Sequence, residues 1–122
     1  MANDFKRFTV PSVNTSVGAS ASAVYTVPAG AGSTALESIV IGITLANKTS
    51  TGVTASVFLD NFSGSNDVYI VKDAIIPAGS SLEVMSGNKI VVQGNGSAND
   101  VIRVSSGTAT AVDATISVLE DV

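Results

Sequence analysis

The sequence contains no cysteine, no histidine and no tryptophan, and each absence removes a class of chemistry. Without cysteine there is no disulfide framework and no thiolate metal site, and the redox compartment leaves no trace in the residues. Without histidine, Ser-His-Asp and Cys-His constellations cannot be assembled, which excludes acyl transfer by its common route. Charged residues make up only 13% of the chain and sum to a net charge of −4, so the basic face that nucleic acid or an anionic membrane requires is missing. No apolar run approaches the roughly 18 residues of a membrane span. The start MANDFKRFTV has no apolar segment behind Lys6 and Arg7, so a secretory signal is not expected, and the protein is expected to be made in a cytoplasm.

What is present is a chain of 122 residues, one domain by size, that is 45% hydrophobic but only 5% aromatic. Its core must therefore be built from Val, Ile, Ala and Leu. Small side chains bury little area each, at about 25 cal/mol per Å², so such a core holds a modest margin against chain entropy, and association between copies would add to it. The surface falls to Ser, Thr, Asn and Gly.

Alternation of period two recurs along the chain. Leu36–Ala46 places Ile39, Ile41, Ile43 and Leu45 on one side. Val53–Asp60 places Val53, Ala55, Val57 and Leu59 on one side, and Val112–Leu119 does the same with Val112, Ala114, Ile116 and Val118. Ala23–Val27 and Val101–Ser105 are shorter strands, with Arg103 pointing away from Ile102 and Val104. The stretch Val68–Gln93 reads as a meander. Ile76-Pro77-Ala78-Gly79 resembles a type I turn with Pro second and Gly fourth, Ser80–Met85 is the return strand, and Gly87-Asn88 is a two-residue hairpin connection into Lys89–Gln93. Val27-Pro28-Ala29-Gly30 repeats the first of these turns, although the flanking residues match too loosely for an internal repeat. No segment has a helical period. The expected class is all-β, an antiparallel β-sandwich or jelly-roll-like barrel over residues 17–122, with an extended N-terminal arm over residues 1–16.

The acids offer no reaction centre to the eye. Asp60, Asp67, Asp73, Glu83, Asp100 and Asp113 stand singly at strand ends and turns, where a carboxylate is usually a solvated turn former. Asp60-Asn61-Phe62-Ser63-Gly64 begins like a calcium loop but has Phe62 and Gly64 where an EF-hand needs oxygen ligands. The reading adopted is no metal and no cofactor, with a loose site on Asp60 and Asp67 as the alternative. No catalytic residue is assigned, and the expectation is that the protein is not an enzyme.

The segments MANDFKRFT, VYTVPAGAGSTALESIVIGITLANKTS, VYIVKDAIIPAGSSLEV and DATISVLE together resemble a group of small structural proteins of tailed bacteriophages, marine and cyanobacterial ones among them. The resemblance covers nearly the whole chain and supplies no catalytic residues. It implies a virion component, most simply a capsid decoration or cement protein that stabilises the head as homo-oligomers, trimers among them. The major capsid protein or other virion proteins would be its partners. A tail, baseplate or head-fibre component, including a carbohydrate-binding module, is the alternative. That alternative normally needs aromatic platforms, and Tyr25 and Tyr69 are the only tyrosines.

The residues singled out for interaction are Phe5, Lys6, Arg7, Phe8 and Phe58. Phe5 and Phe8 are three apart, so in an extended chain they face opposite sides, one toward this domain's core and the other toward a neighbour. The first segment is then either an arm lying on a neighbouring subunit or an edge strand of the same domain. On the arm reading, removing Met1–Phe8 leaves the β domain folded and weakens assembly. Phe58 falls on the polar side of its strand and needs either a covering loop or a partner.

Overall fold

The alternation of the last strand organises the architecture. In the computed structural model, which describes residues 3–28, 37–60, 67–85, 89–94 and 99–121, β9 (Val112–Asp121) lies between β1 (Asn3–Val10) and β3 (Glu37–Asn47). Both pairings are antiparallel. β6 (Ser81–Glu83) and β7 (Ile90–Gln93) pair with opposite ends of β3 and complete this sheet, sheet A. Sheet B has the order β2-β8-β4-β5, formed by Ser22–Thr26, Val101–Ser106, Val53–Asp60 and Asp67–Ile76. The two sheets face each other as an open β-sandwich and do not close into a barrel.

Between them lies an aliphatic core. Val40, Ile43, Leu45, Ile116 and Val118 from sheet A meet Val57, Ile102, Val104 and Tyr25 from sheet B, all buried. The expected inward set of β9 is buried in full, and the same alternation runs one step further to Glu120, also buried. The Ala23–Val27, Val101–Ser105 and Leu36–Ala46 expectations each match an observed strand to within a residue.

Two expectations are corrected. The side of β3 that was expected to be uniform changes halfway, because a bulge between Val40 and Gly42 inserts one residue against β9. Ser38 and Val40 therefore point inward before it and Ile43 and Leu45 after it, while Ile41 is left outside. The second correction concerns Val68–Gln93, which is not a meander. β5 pairs with β4 in sheet B, whereas β6 and β7 both pair with β3 in sheet A, so the Pro77 turn carries the chain from one sheet to the other. Its hydrogen bond runs from Ser80 N–H to Pro77 C=O, and Gly79 has a φ of 65°. Pro is thus first in the turn and Gly third, the position where a type II turn needs positive φ.

The cause of the crossover is Asn47, at the end of β3. Its buried side chain donates from Nδ2 to the carbonyls of Thr51, Ile76 and Pro77 and accepts at Oδ1 from Thr49 N–H and Oγ1. Its own N–H donates to Ser80 C=O. The turn is pinned to the β3 end, and the next strand starts beside β3 as a result. Gly87-Asn88 and the second half of Val27-Pro28-Ala29-Gly30 lie outside the described residues.

Candidate interaction surface

The N-terminal segment is extended, and over Asn3–Val10 it is zipped to β9 through eight consecutive residue pairs. Of the two readings of this segment, an edge strand of the same domain is therefore the observed one. The alternation of β1 divides the candidate residues as their spacing requires. Lys6 and Phe8 stand opposite the buried Val118 and Ile116, on the inward side, while Phe5 and Arg7 stand opposite Leu119 and Ser117, on the outward side.

The inward side is tied down by a buried acid. Glu120 Oε2 accepts the Tyr25 hydroxyl at 2.5 Å, and Tyr25 Oη is also 2.8 Å from Ser38 Oγ. Lys6 Nζ stands 2.9 Å from Glu120 Oε1, an oxygen that no other described group reaches. A carboxylate this deep is tolerated because it is both hydrogen-bonded and paired. The Phe8 ring closes the network at the edge, 5.1 Å from the Tyr25 ring. The consequences for protonation follow. Burial first, then the hydrogen bond to Glu120, pushes the Tyr25 phenol above its ordinary value, and the contact with the Glu120 carboxylate raises Lys6. A second clamp holds the far end of β1, where Asp113 Oδ1 accepts from Lys48 Nζ and from Ser12 N–H, which, in that order, lower its pKa.

The outward side of β1 is open. Phe5 is 79% exposed, and Arg7 is exposed with no ion-pair partner among the described residues. The two rings of β1 face opposite sides as their spacing requires, but Phe8 does not enter the core: it is 36% exposed and lies against the Tyr25 ring at the edge.

Phe58 has the opposite fate. It does lie on the outer face of sheet B, opposite Tyr69 on β5 and Arg103 on β8, yet it is 1% exposed. The Tyr69 ring covers it at 5.4 Å, with Lys72 Nζ 5.6 Å from the centre of that ring. Phe58 is thereby withdrawn as a contact residue. Arg103 donates from Nε to Asp60 and from Nη1 to Ala21 C=O. Beside Phe58 a cleft of about 180 Å³ is lined by Thr15, Val17, Ser56, Tyr69, Lys72 and Asp73. Asp73 adopts a φ of 51° at a bulge between β4 and β5, where its N–H donates to Ser56 Oγ.

The carboxylates are thus more occupied than their scattered positions suggested. Asp60 pairs with Arg103, Asp113 with Lys48, and Asp100 is buried and accepts the Gln93 N–H. Residues 61–66, the body of the calcium alternative, lie outside the described residues. Among the described residues no group of three acids is placed to hold a metal ion. Glu120 is the residue that sequence reasoning missed. Its signal was the β9 alternation, which reaches it if continued past Val118.

The class defined by these features is an open antiparallel β-sandwich with one edge strand that is anchored by its inner face and free on its outer face. Neither a family model nor a curated protein matches the chain.

Proposed function

We propose that this chain is a structural protein of a tailed-phage virion, a capsid decoration protein that acts as a homo-oligomer and works by adhesion, not turnover. The observation that carries the reading is the outward side of β1. An exposed Phe5 and an Arg7 without an ion-pair partner among the described residues are held on a strand whose inner side is tied down by Lys6, Phe8 and Tyr25. A rigidly presented ring loses little entropy on docking, and burying it is worth about 1.5–3 kcal/mol. Around it stand Thr9, Thr115 and Ser117, which can hydrogen-bond a facing subunit of the assembly with little charge to desolvate. Many copies on one head multiply a weak contact into a strong one. The test is co-sedimentation of the purified protein with empty heads. Binding that falls for Phe5→Ser and Arg7→Glu supports the reading, and failure of the intact protein to bind heads removes it.

One observation favours a carbohydrate-binding fibre module as a second reading. Tyr69 is 44% exposed and shares its cleft with Lys72, Asp73 and the hydroxyl-bearing residues Thr15, Ser56, Ser105 and Ser106. The cleft is smaller than the about 300–1,000 Å³ of most small-molecule sites, so it fits at most one sugar ring. Tyr25 is buried in the core and is removed as a platform. Glycan-array binding lost in Tyr69→Ala favours this reading, and no glycan signal removes it.

A further inference from the structure

The outer face of sheet A carries an apolar row that runs unbroken across four strands. Phe5 on β1 is opposite Leu119 on β9, Leu119 is opposite Ile39 on β3, and Ile39 is opposite Val91 on β7. Cross-strand partners share a face, so the four side chains stand in line on the side away from the core. Val91 is 58% exposed at one end of the row, as Phe5 is at the other, and the β3 bulge sets Ile41 outward beside it.

One level along the strands the face changes to charge. Arg7 on β1 is followed by Ser117 on β9 and Gly42 on β3. Because Gly42 has no side chain, the carboxylate of Glu83 reaches over it from β6. Glu83 Oε1 lies 3.6 Å from where a Cβ at Gly42 would stand, while Oε2 accepts Thr44 Oγ1 at 2.9 Å. Among the described residues neither Arg7 nor Glu83 has an ion-pair partner. The face therefore presents an unpaired cation on one side and an unpaired anion on the other, at the same level and next to the same apolar row.

We infer that this face docks a second copy of the chain about a two-fold axis parallel to the strands. Such an axis preserves the level along the strands and exchanges the two sides of the sheet. Phe5 of each copy then meets Val91 of the other, Leu119 meets Ile39, and Arg7 comes over the Glu83 carboxylate. Every contact is made twice, as a self-complementary interface requires. A partner of different sequence would have to supply both the opposite charges and the row, whereas a copy already has them in register. Stacked in this way, the outer faces pack as the sheets of a sandwich do. Four strands at about 4.8 Å spacing and eight residues at about 3.4 Å give a face of the order of 500 Å² per copy. That is below the about 800 Å² per partner of standard interfaces, so the free dimer is weak, micromolar or looser. The inference rests on the self-association in the proposed function, but not on the virion.

The test is sedimentation velocity of the full chain from micromolar to millimolar concentration, with circular dichroism of each variant as the fold control. A monomer–dimer equilibrium is expected, weakened about tenfold or more in Phe5→Ser and, from the other side of the row, in Val91→Ser. Arg7→Glu and Glu83→Arg should each weaken it, and combining them should restore it, since the reversed charges again face each other. A chain that stays monomeric throughout overturns both the self-association and this face. A trimer, a dimer indifferent to Phe5→Ser and Val91→Ser, or a double charge reversal no better than its parents overturns the face alone. A dimer with the expected responses that does not bind heads leaves this inference standing and removes the virion reading.

Discussion

The two outer faces of the sandwich each received a phenylalanine at an outward position of a strand, and they treated it differently. On sheet B, Phe58 is sealed under Tyr69 and flanked on the next strand by Arg103, so an outward residue became a second, small core. On sheet A, Phe5 stands in an apolar row and is 79% exposed. The position in the alternation is the same in both cases. What differs is the neighbour: β4 lies inside its sheet with an aromatic on the next strand, whereas β1 is an edge. An outward aromatic in the middle of a sheet can be covered by cross-strand neighbours, while one on an edge strand has them on one side only.

Removing Met1–Phe8 should break the comparison most severely. The arm reading expected the domain to survive this truncation, but β9 would lose six of its eight β1 partners and Glu120 its cation. The expected outcome is loss of a large part of the about 5–15 kcal/mol by which such domains are stable, read by urea unfolding. A truncated chain as stable as the intact one would show that β1 is a detachable arm after all.

Phe58→Ala should cost about 3–5 kcal/mol, the range for emptying a buried aromatic site. Phe5→Ala should stay within about 0.5 kcal/mol in the same denaturation experiment at low protein concentration. Similar losses at both positions would mean that the two faces do not differ as described.

Asn47→Ala is expected to cost about 1–3 kcal/mol, because the carbonyls of Ile76 and Pro77 lose the buried amide that ties them to the end of β3 where the chain crosses between sheets. Hydrogen exchange should show the loosening at β6 before β9. Uniform loosening would argue that the pin is not local.

The smallest effects are in pH. Tyr25 and Lys6 both have folded-state pKa values above their ordinary 10.0 and 10.5. Each raised value stabilises the fold fully below the unfolded pKa, and that contribution is lost as pH rises through the folded one. The melting temperature should therefore begin to fall near pH 10, and less steeply in Tyr25→Phe. Asp113, whose pKa is lowered, works in the opposite direction. Its contribution is present above the usual carboxylate range and disappears as pH falls through the folded value, and it is small because both partners are partly exposed. A melting temperature that holds steady well above pH 10 would deny the Glu120 network a role in stability.

The sequence by itself determined the all-β class, most strand positions, the buried side of β9, and that Phe5 and Phe8 face opposite sides. All of these are properties of period-two alternation, which is written within a few consecutive residues. The tertiary structure alone decided what depends on residues far apart in the chain. Glu120 is buried because Tyr25, from the opposite sheet, supplies a hydroxyl and Lys6, from the other end of the chain, supplies a cation. Phe58 is covered because Tyr69 arrives opposite it on β5. The β3 alternation changes side because β9 leaves one residue unpaired, and β6 joins β3 instead of β5 because Asn47 holds the intervening turn. Alternation says which way a side chain points from its own strand, but the strand next to it sets whether it meets water, a ring or a charge.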